Sequence, residues 1–232
     1  MIDFDDKLSM ALNHALSAHP AFANLYDVLS NNDFVRGLPI IAALAFLWFS
    51  RDARGQLHLI VQLLAISAAT VTSVLVQRLH LFHTRPMLRP ELGLHLPADL
   101  AGQLWNDAPW SWPSDTATLY AGLVAIVCRD KPRLGVALGV WTLVVILIPR
   151  VAFGYHYASD VASGVVLGAS AVLIADALFK AGEQPLVDRL SAPVGHHPVL
   201  INTLFMIGVW QLADLMIDPR AAIHAVALFM RH

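Results

Sequence analysis

Two groups of arginine and histidine residues interrupt otherwise apolar sequence. Arg78 and Arg85 form the first group, and Arg150 and His156, followed by Asp160, form the second. Ionisable side chains at membrane depth are energetically costly, so they mark functional sites by default. Two separate groups rich in arginine are typical of a shared anion, above all phosphate, because the guanidinium group can bind phosphate oxygens in a bidentate manner. The pattern therefore predicts a phosphate-binding site.

The spacing within the second group favours nucleophilic chemistry. His156 and Asp160 are four residues apart at the start of an apolar run, so on a helix they share one face. A carboxylate there can fix the histidine tautomer and make the second ring nitrogen a better nucleophile or base. Arg150 could then hold the oxygens of the group that His156 attacks. The alternative is structural, because arginines also end helices at headgroup level and a lone His-x-x-x-Asp is often only part of the packing.

The composition predicts a membrane protein. Hydrophobic residues make up 57% of the 232 residues and charged residues 14%, against about 45–50% and about 25% in soluble domains. A net charge of −2 argues against a nucleic-acid-binding protein. Cys128 is the only cysteine, which excludes an intramolecular disulfide and a cysteine-rich metal site. A soluble protein with a large helical core is the alternative.

The apolar runs predict an all-α fold, a polytopic membrane bundle of about six transmembrane helices. Only one run is long enough by itself to meet the requirement of about 20 apolar residues. Residues 1–34 are predicted to form amphipathic helices that either lie at the membrane interface or cap the bundle, and residues 35–232 are the predicted membrane domain. The candidate spans are 35–50, 57–77, 115–128, 134–149, 159–179 and 198–216.

Short positively charged loops give the predicted orientation. The segments 51–54, 129–133 and 180–189 carry Lys and Arg and are therefore predicted to face the cytoplasm. The segments 86–113 and 150–157 then face the opposite side. Both arginine groups thus belong to the periplasmic or extracellular face of a multi-pass protein of the cell membrane.

Three motifs of this sequence resemble those of the type 2 phosphatidic acid phosphatases, or lipid phosphate phosphatases, which share a core with the vanadium haloperoxidases. The pattern of that family is Lys-x6-Arg-Pro, then Pro-Ser-Gly-His, then Ser-Arg-x5-His-x3-Asp. The order and spacing match, and the resemblance covers about residues 57–180. The corresponding motifs here are Arg78-x6-Arg85-Pro86, Pro113-Ser114-Asp115-Thr116 and Pro149-Arg150-x5-His156-x3-Asp160.

The resemblance implies a role for each matching residue. His156 would be the nucleophile that forms a phosphohistidine, and Asp160 would orient it. No metal or organic cofactor is implied, and the implied fold is a six-helix membrane bundle with its active site near the outer surface. The implied phosphate-binding residues are Arg78, Arg85, Ser114, Thr116 and Arg150.

Four positions depart from the family pattern: Arg78 replaces its lysine, Asp115 and Thr116 replace its Gly-His, and Pro149 replaces its leading serine. The departure at Thr116 bears most on catalysis. Thr116 occupies the place of a histidine that protonates the leaving oxygen in the family, and threonine has no useful acidity near neutral pH. General acid–base help is worth about 10²–10⁴-fold. Three interpretations follow. Asp115, His80 or His83 could replace the acid; the leaving group could need no proton, as for a lipid monophosphate released from a diphosphate; or the protein could bind lipid phosphates without turning them over.

The sequence thus predicts an enzyme, a membrane lipid phosphatase or phosphotransferase. Its predicted substrate is a lipid phosphate or diphosphate, and the leaving-group argument favours a polyprenyl diphosphate. Membrane lipids are the other predicted partners. The competing functions are a lipid-phosphate-binding protein and a transporter. The transporter ranks last, because the runs 57–77 and 134–149 contain only His58 as a titratable group.

Overall fold

The computed structural model describes residues 2–80, 82–96, 109–182 and 184–213. Within these residues the chain is helical, without a β-strand, and the predicted all-α fold is confirmed for them. Two short 3₁₀ turns, Pro86–Leu88 and Pro90–Leu92, lie in the loop after the fourth helix. The helices are α1 (Ile2–Ser17), α2 (Pro20–Asn31), α3 (Asp33–Phe49), α4 (Ala53–Arg78), α5 (Asp115–Asp130), α6 (Pro132–Ala152), α7 (Ala158–Ala181), α8 (Gln184–His196) and α9 (Pro198–Ala213).

Three of these helices, α4, α6 and α7, are long and apolar enough to cross a membrane. A fourth span results if α2 and α3, which meet at an angle of 43°, count as one bent span. The helices α5 and α9 coincide with two further predicted spans, but each has 16 residues, fewer than the roughly 20 that a bilayer requires. Residues 214–216 of the last predicted span lie outside the described residues. The structure therefore supports a membrane protein with three or four spanning helices, and the number six stays a prediction.

Gly164 and Gly168 allow α5 and α7 to pack closely. A Cβ atom on Gly164 would lie 2.4 Å from the Ser114 carbonyl oxygen, and one on Gly168 would lie 2.0 Å from the Thr118 carbonyl oxygen. The Ser73 hydroxyl of α4 lies 3.0 Å from the Thr118 hydroxyl, which joins a third helix to the pair. Small residues commonly let membrane helices approach in this way. The packing holds the beginning of α5, with the second motif, against the beginning of α7.

The Gly168→Ala substitution is expected to destabilise the bundle by about 1–3 kcal/mol or more, because the new methyl group would collide with helix backbone. A lowered Tm in detergent would measure the effect. Gly139→Ala is the matched control, since a Cβ atom there meets only Val124 Cγ1 at 3.6 Å. Its Tm should stay unchanged or rise, because alanine is the better helix former. Equal Tm values for the two variants would contradict the close packing of α5 and α7.

The N-terminal helix α1 packs against the loops and helix ends that flank α6 and α7. The carboxylate of Asp5 accepts hydrogen bonds from the backbone N–H and the hydroxyl of Ser159, at 3.1 and 2.6 Å. The Asn13 amide donates to the carbonyl oxygens of His95 and Ala152, at 3.0 and 2.9 Å. These contacts join α1 to the bundle, as a cap would be joined, while the apolar side chains of Phe22, Leu25 and Val28 on α2 are exposed. The choice between the two interpretations of residues 1–34 stays a prediction. The predicted N-terminal segment 1–34 overlaps the first two residues of α3, which begins at Asp33.

A polar cluster ties three helices together at the end of the bundle that is predicted to face the cytoplasm. Asp176 of α7 accepts a hydrogen bond from the Gln62 amide at 2.7 Å, and its carboxylate lies 3.0 Å from His58 Nε2. Arg129 of α5 pairs with the same carboxylate. Because these groups pair with one another across α4, α5 and α7, the cluster joins the three helices. The motifs that the sequence singled out meet at the opposite end.

Candidate active site

His156 is the centre of the candidate site. It lies in the linker between α6 and α7, is 2% exposed, and has its Nδ1 atom 2.9 Å from the Ser111 carbonyl oxygen. Because a carbonyl oxygen only accepts hydrogen bonds, this contact assigns the ring proton to Nδ1 and leaves the lone pair on Nε2. Burial, followed by the positive charge of Arg85, lowers the pKa of His156 to about 3. The imidazole is therefore neutral near pH 7, and Nε2 can act as a nucleophile or base.

Arg85 faces the nucleophilic side of this ring. Its side chain is buried, and its Nη1 atom lies 3.5 Å from His156 Nε2. The same nitrogen donates a hydrogen bond to the Tyr155 carbonyl oxygen at 2.8 Å, which fixes the direction of the guanidinium group. Burial lowers the pKa of Arg85, yet arginine stays charged in proteins. The positive charge of Arg85 thus lies beside Nε2 of His156, the atom that would act as the nucleophile.

Arg150 supplies a second positive charge close to the same ring. Its backbone carbonyl accepts a hydrogen bond from the His156 N–H at 3.0 Å, and its guanidinium carbon lies 4.7 Å from the centre of the Tyr155 ring. Its charge contributes to the lowered pKa values of both His156 and Arg85. The structure therefore brings one arginine from each predicted group to the histidine, although they are 65 residues apart in the chain.

Asp160 is near His156 but does not hydrogen-bond its ring. Its Oδ2 atom lies 3.8 Å from His156 Nδ1 and accepts a hydrogen bond from the Tyr157 N–H at 2.8 Å. The predicted role of orienting the tautomer through a hydrogen bond is instead taken by the Ser111 carbonyl. Sequence reasoning missed Ser111, because a backbone carbonyl leaves no side-chain signature. Asp160 contributes a fixed turn and a nearby carboxyl group.

The second motif forms the beginning of α5. The Ser114 hydroxyl accepts a hydrogen bond from the Ala117 N–H at 3.2 Å and so caps the helix, while the Ser114 N–H donates to the Asp160 carbonyl at 3.1 Å. Thr116 is buried. Asp115 Oδ1 lies 3.9 Å from His156 Nε2. Among the residues of this motif, Asp115 is therefore the one with an ionisable group on the nucleophilic side of the ring.

The two histidines that were candidates for a substitute acid lie elsewhere. His83 has Nε2 at 3.6 Å from Asp160 Oδ1 and Nδ1 at 3.2 Å from the Ser111 hydroxyl. His83 and the Nδ1 atom of His156 therefore both lie near Ser111 and Asp160. His83 is thus on the side of the His156 ring opposite to Nε2. His80 is exposed and stacks on Trp110, with ring centres 5.0 Å apart. Of the three candidates, Asp115 has the position closest to the reacting side.

Arg78 is the predicted phosphate ligand that the structure does not bring to His156. It is the last residue of α4 and is exposed, whereas its neighbour Gln77 is buried and donates a hydrogen bond to the Pro113 carbonyl at 2.7 Å. This bond anchors α4 to the second motif. Arg78 consequently lies on the rim of the site rather than in its interior.

Arg89 connects the site to the N-terminal cap, a contact that the sequence did not reveal. Its Nη1 atom donates to the Tyr157 hydroxyl at 2.7 Å and to Asp6 Oδ1 at 2.8 Å. Burial raises the pKa of Tyr157 to about 12, so the phenol stays protonated. The Tyr157 ring in turn meets the edge of His83, with ring centres 4.5 Å apart. The side chains behind His156 are therefore held from two directions.

Comparisons of the chain with protein-family models, with curated proteins and with solved structures give no match. In the part of the chain that the structure describes, no group of three or more His, Cys, Asp or Glu side chains is arranged to hold a metal ion. The functional interpretation therefore depends on the geometry of the site itself: a neutral, oriented imidazole, two guanidinium groups and a carboxylate.

Proposed function

We propose that this protein is a membrane lipid phosphatase or phosphotransferase of the type 2 phosphatidic acid phosphatase superfamily. It removes a phosphate from a lipid diphosphate through a phosphohistidine at His156, on the periplasmic or extracellular face of the membrane. The observation that carries the proposal is the orientation of His156. Its Nδ1–H group donates to the Ser111 carbonyl, and its Nε2 atom, which carries the lone pair, accepts a hydrogen bond from Arg85 Nη1 at 3.5 Å.

In the first step, the Nε2 lone pair attacks the terminal phosphorus atom. The bond from phosphorus to the bridging oxygen breaks, and the lipid monophosphate leaves with the electron pair of that bond. Arg85 and Arg150 offset the negative charge of the phosphoryl oxygens, which is the main requirement of phosphoryl transfer. The imidazole becomes positively charged, and the Ser111 carbonyl and the Asp160 carboxylate on its Nδ1 side stabilise that charge.

In the second step, Asp115 removes a proton from a water molecule that attacks the phosphohistidine. The P–N bond breaks, inorganic phosphate leaves, and the electron pair returns to Nε2. The position of Asp115 supports this role, since its Oδ1 atom lies 3.9 Å from Nε2. In this role Asp115 is an ionised carboxylate, which can accept a proton but cannot give one. In a phosphotransferase, an acceptor hydroxyl would replace the water.

Among the residues that the structure describes, no neutral acid lies beside Nε2, and this supports a substrate whose leaving group needs no proton. Thr116 stands in the family's acid position, and His83 lies behind the ring. A lipid alkoxide is a poor leaving group without protonation, whereas a phosphate monoester released from a diphosphate leaves without it. A polyprenyl diphosphate is therefore favoured over phosphatidic acid.

A protein that binds lipid phosphates without hydrolysing them is the second candidate. One observation favours it: the threonine at position 116, which leaves the family's general-acid histidine missing. Such a protein would bind lipid diphosphates but release no inorganic phosphate. Turnover therefore separates the two functions.

A substrate panel tests the proposal. The purified wild type and the Thr116→His variant are incubated with farnesyl diphosphate, farnesyl monophosphate and phosphatidic acid, and released inorganic phosphate is measured. We expect the wild type to prefer the diphosphate, and we expect the variant to gain activity on the monophosphates by up to about 10²-fold, since it regains a general acid. A wild type that prefers monophosphates would contradict the leaving-group argument, and binding without phosphate release would favour the second candidate.

A further inference from the structure

The helix that carries Arg150 changes its hydrogen-bond register just before it reaches the site. Residues Thr142–Leu147 of α6 form a π-helical segment, in which the Ile148 N–H donates to the Leu143 carbonyl, five residues earlier. Such segments are rare and frequently occur at functional sites. The next N–H in this register would belong to residue 149 and would donate to the carbonyl of Val144.

Residue 149 is proline, which has no N–H to donate. The carbonyl of Val144 therefore loses its partner within the helix, at a depth where an unpaired carbonyl is costly. The hydroxyl of Tyr26, on α2, donates to this carbonyl instead. Tyr26 thus supplies, from another helix, the hydrogen bond that Pro149 cannot make.

The same tyrosine also belongs to the aromatic packing beneath Arg150. Its ring packs against Phe153, with ring centres 6.4 Å apart, and Phe153 forms one cluster with Tyr155. The Arg150 guanidinium lies over the Tyr155 ring at 4.7 Å. The position of Arg150 therefore depends on the register of its own helix and on the Tyr155 ring beneath its guanidinium. Tyr26 contacts both supports, since it bonds to Val144 in the helix and packs on Phe153 beside Tyr155.

The register of the π segment decides where Arg150 points. Each residue of an α-helix turns the chain by about 100°, and a π turn accommodates one residue more than an α turn. Loss of the π register would therefore rotate Arg150 relative to His156. The bond between Tyr26 and Val144 stabilises the register that directs the guanidinium toward the site.

We infer that Tyr26 is a positioning residue for the phosphate clamp, by which we mean the guanidinium groups of Arg85 and Arg150. It acts on Arg150 through the π segment of α6 and through the cluster of Phe153 and Tyr155. The inference depends on the proposed function, because it assigns Arg150 to phosphate binding. The inference also gives α2, one of the N-terminal helices, an indirect part in substrate binding, because Tyr26 acts through Arg150 and does not itself bind the phosphate.

The binding of pyrophosphate to the detergent-purified protein, measured by calorimetry, tests the inference. Tyr26→Phe keeps the ring and removes only the hydroxyl. We expect it to raise the Kd for pyrophosphate by about tenfold, because a displaced Arg150 would lose one charge-assisted hydrogen bond to the phosphate. Ser30→Ala is the matched control, since it also removes one hydroxyl from α2, and Ser30 bonds only locally, to the Asp27 carbonyl at 3.0 Å. Its Kd should equal that of the wild type.

A double-mutant cycle distinguishes positioning from a general structural role. In an Arg150→Ala background, Tyr26→Phe should change the Kd by less than about twofold, because residues that act through one another are not additive. In an Arg85→Lys background, the tenfold effect should persist. A full effect of Tyr26→Phe in the Arg150→Ala background would overturn the inference.

Two further outcomes separate this inference from the proposed function. If the wild type binds pyrophosphate and Tyr26→Phe binds as tightly as Ser30→Ala, the inference fails and the proposed function stands. If the wild type neither binds pyrophosphate nor releases phosphate from farnesyl diphosphate, the proposed function fails, and the inference fails with it.

Discussion

The His156→Ala variant is expected to lose at least about 10³-fold in kcat/KM for a polyprenyl diphosphate, because it lacks the atom that forms the covalent intermediate. Release of inorganic phosphate from farnesyl diphosphate measures the loss. The variant should still bind pyrophosphate, since Arg85 and Arg150 remain. A normal elution volume and Tm would show that the bundle stays folded.

His83→Ala is the matched control for this prediction. It removes another imidazole of the same site, but one that faces Asp160 and Ser111 rather than Nε2 of His156. Its kcat/KM should fall far less than that of His156→Ala. Unchanged turnover in His156→Ala, or an equal loss in both variants, would contradict the assignment of His156 as the nucleophile.

The Arg85→Lys substitution is expected to lower kcat/KM by about 10²-fold, although it keeps the positive charge. Lysine replaces a planar, bidentate donor by a compact charge. In addition, the bond from Arg85 Nη1 to the Tyr155 carbonyl fixes the present geometry, and the single nitrogen of a lysine cannot occupy the positions of the separate guanidinium nitrogens. Steady-state kinetics on farnesyl diphosphate measure the effect.

Arg78→Lys is the control for the buried arginine. Arg78 is exposed at the end of α4, so the same chemical change should alter kcat/KM by less than about fivefold, in line with the small contributions of exposed charges. If Arg78→Lys lost as much as Arg85→Lys, Arg78 would belong to the clamp, as the resemblance implied. If neither variant were impaired, arginine geometry would not matter, and the phosphate clamp would be wrong.

Much of the architecture follows from hydrophobic patterning. The long apolar runs became α4, α6 and α7, because apolar stretches of this length are stable as helices in a membrane. The difference lies in α5, which has 16 residues. It begins at a buried polar site, where Ser114 caps it, and hydropathy alone does not distinguish such a helix from a full span.

The members of the candidate site that act through their side chains were predictable from the sequence. Arg85, Arg150 and His156 meet as their types suggested, since a buried histidine and two buried or half-buried arginines leave few arrangements. The tautomer was not predictable: the expected partner was Asp160, but the Ser111 carbonyl lies closer to Nδ1. Backbone groups take such positions only once the chain has folded.

The contacts of the N-terminal helices also could not be predicted from the sequence. Their apolar spacing indicated amphipathic helices but did not show whether lipid or protein covers the apolar side. For α1, polar residues supply contacts with the bundle, because Asp5 and Asn13 are buried against Ser159 and Ala152. A buried carboxylate needs specific partners, and those partners are about 140–150 residues away in the chain.

Direct detection of the phosphohistidine tests the central claim. The wild type is mixed with farnesyl diphosphate that carries ³²P in its terminal phosphate, quenched in alkali within milliseconds, digested and analysed by mass spectrometry. We predict an alkali-stable, acid-labile phosphoryl group on the peptide that contains His156, absent from His156→Ala. Phosphate release by the wild type at full rate, without label on that peptide at any quench time, would contradict the account.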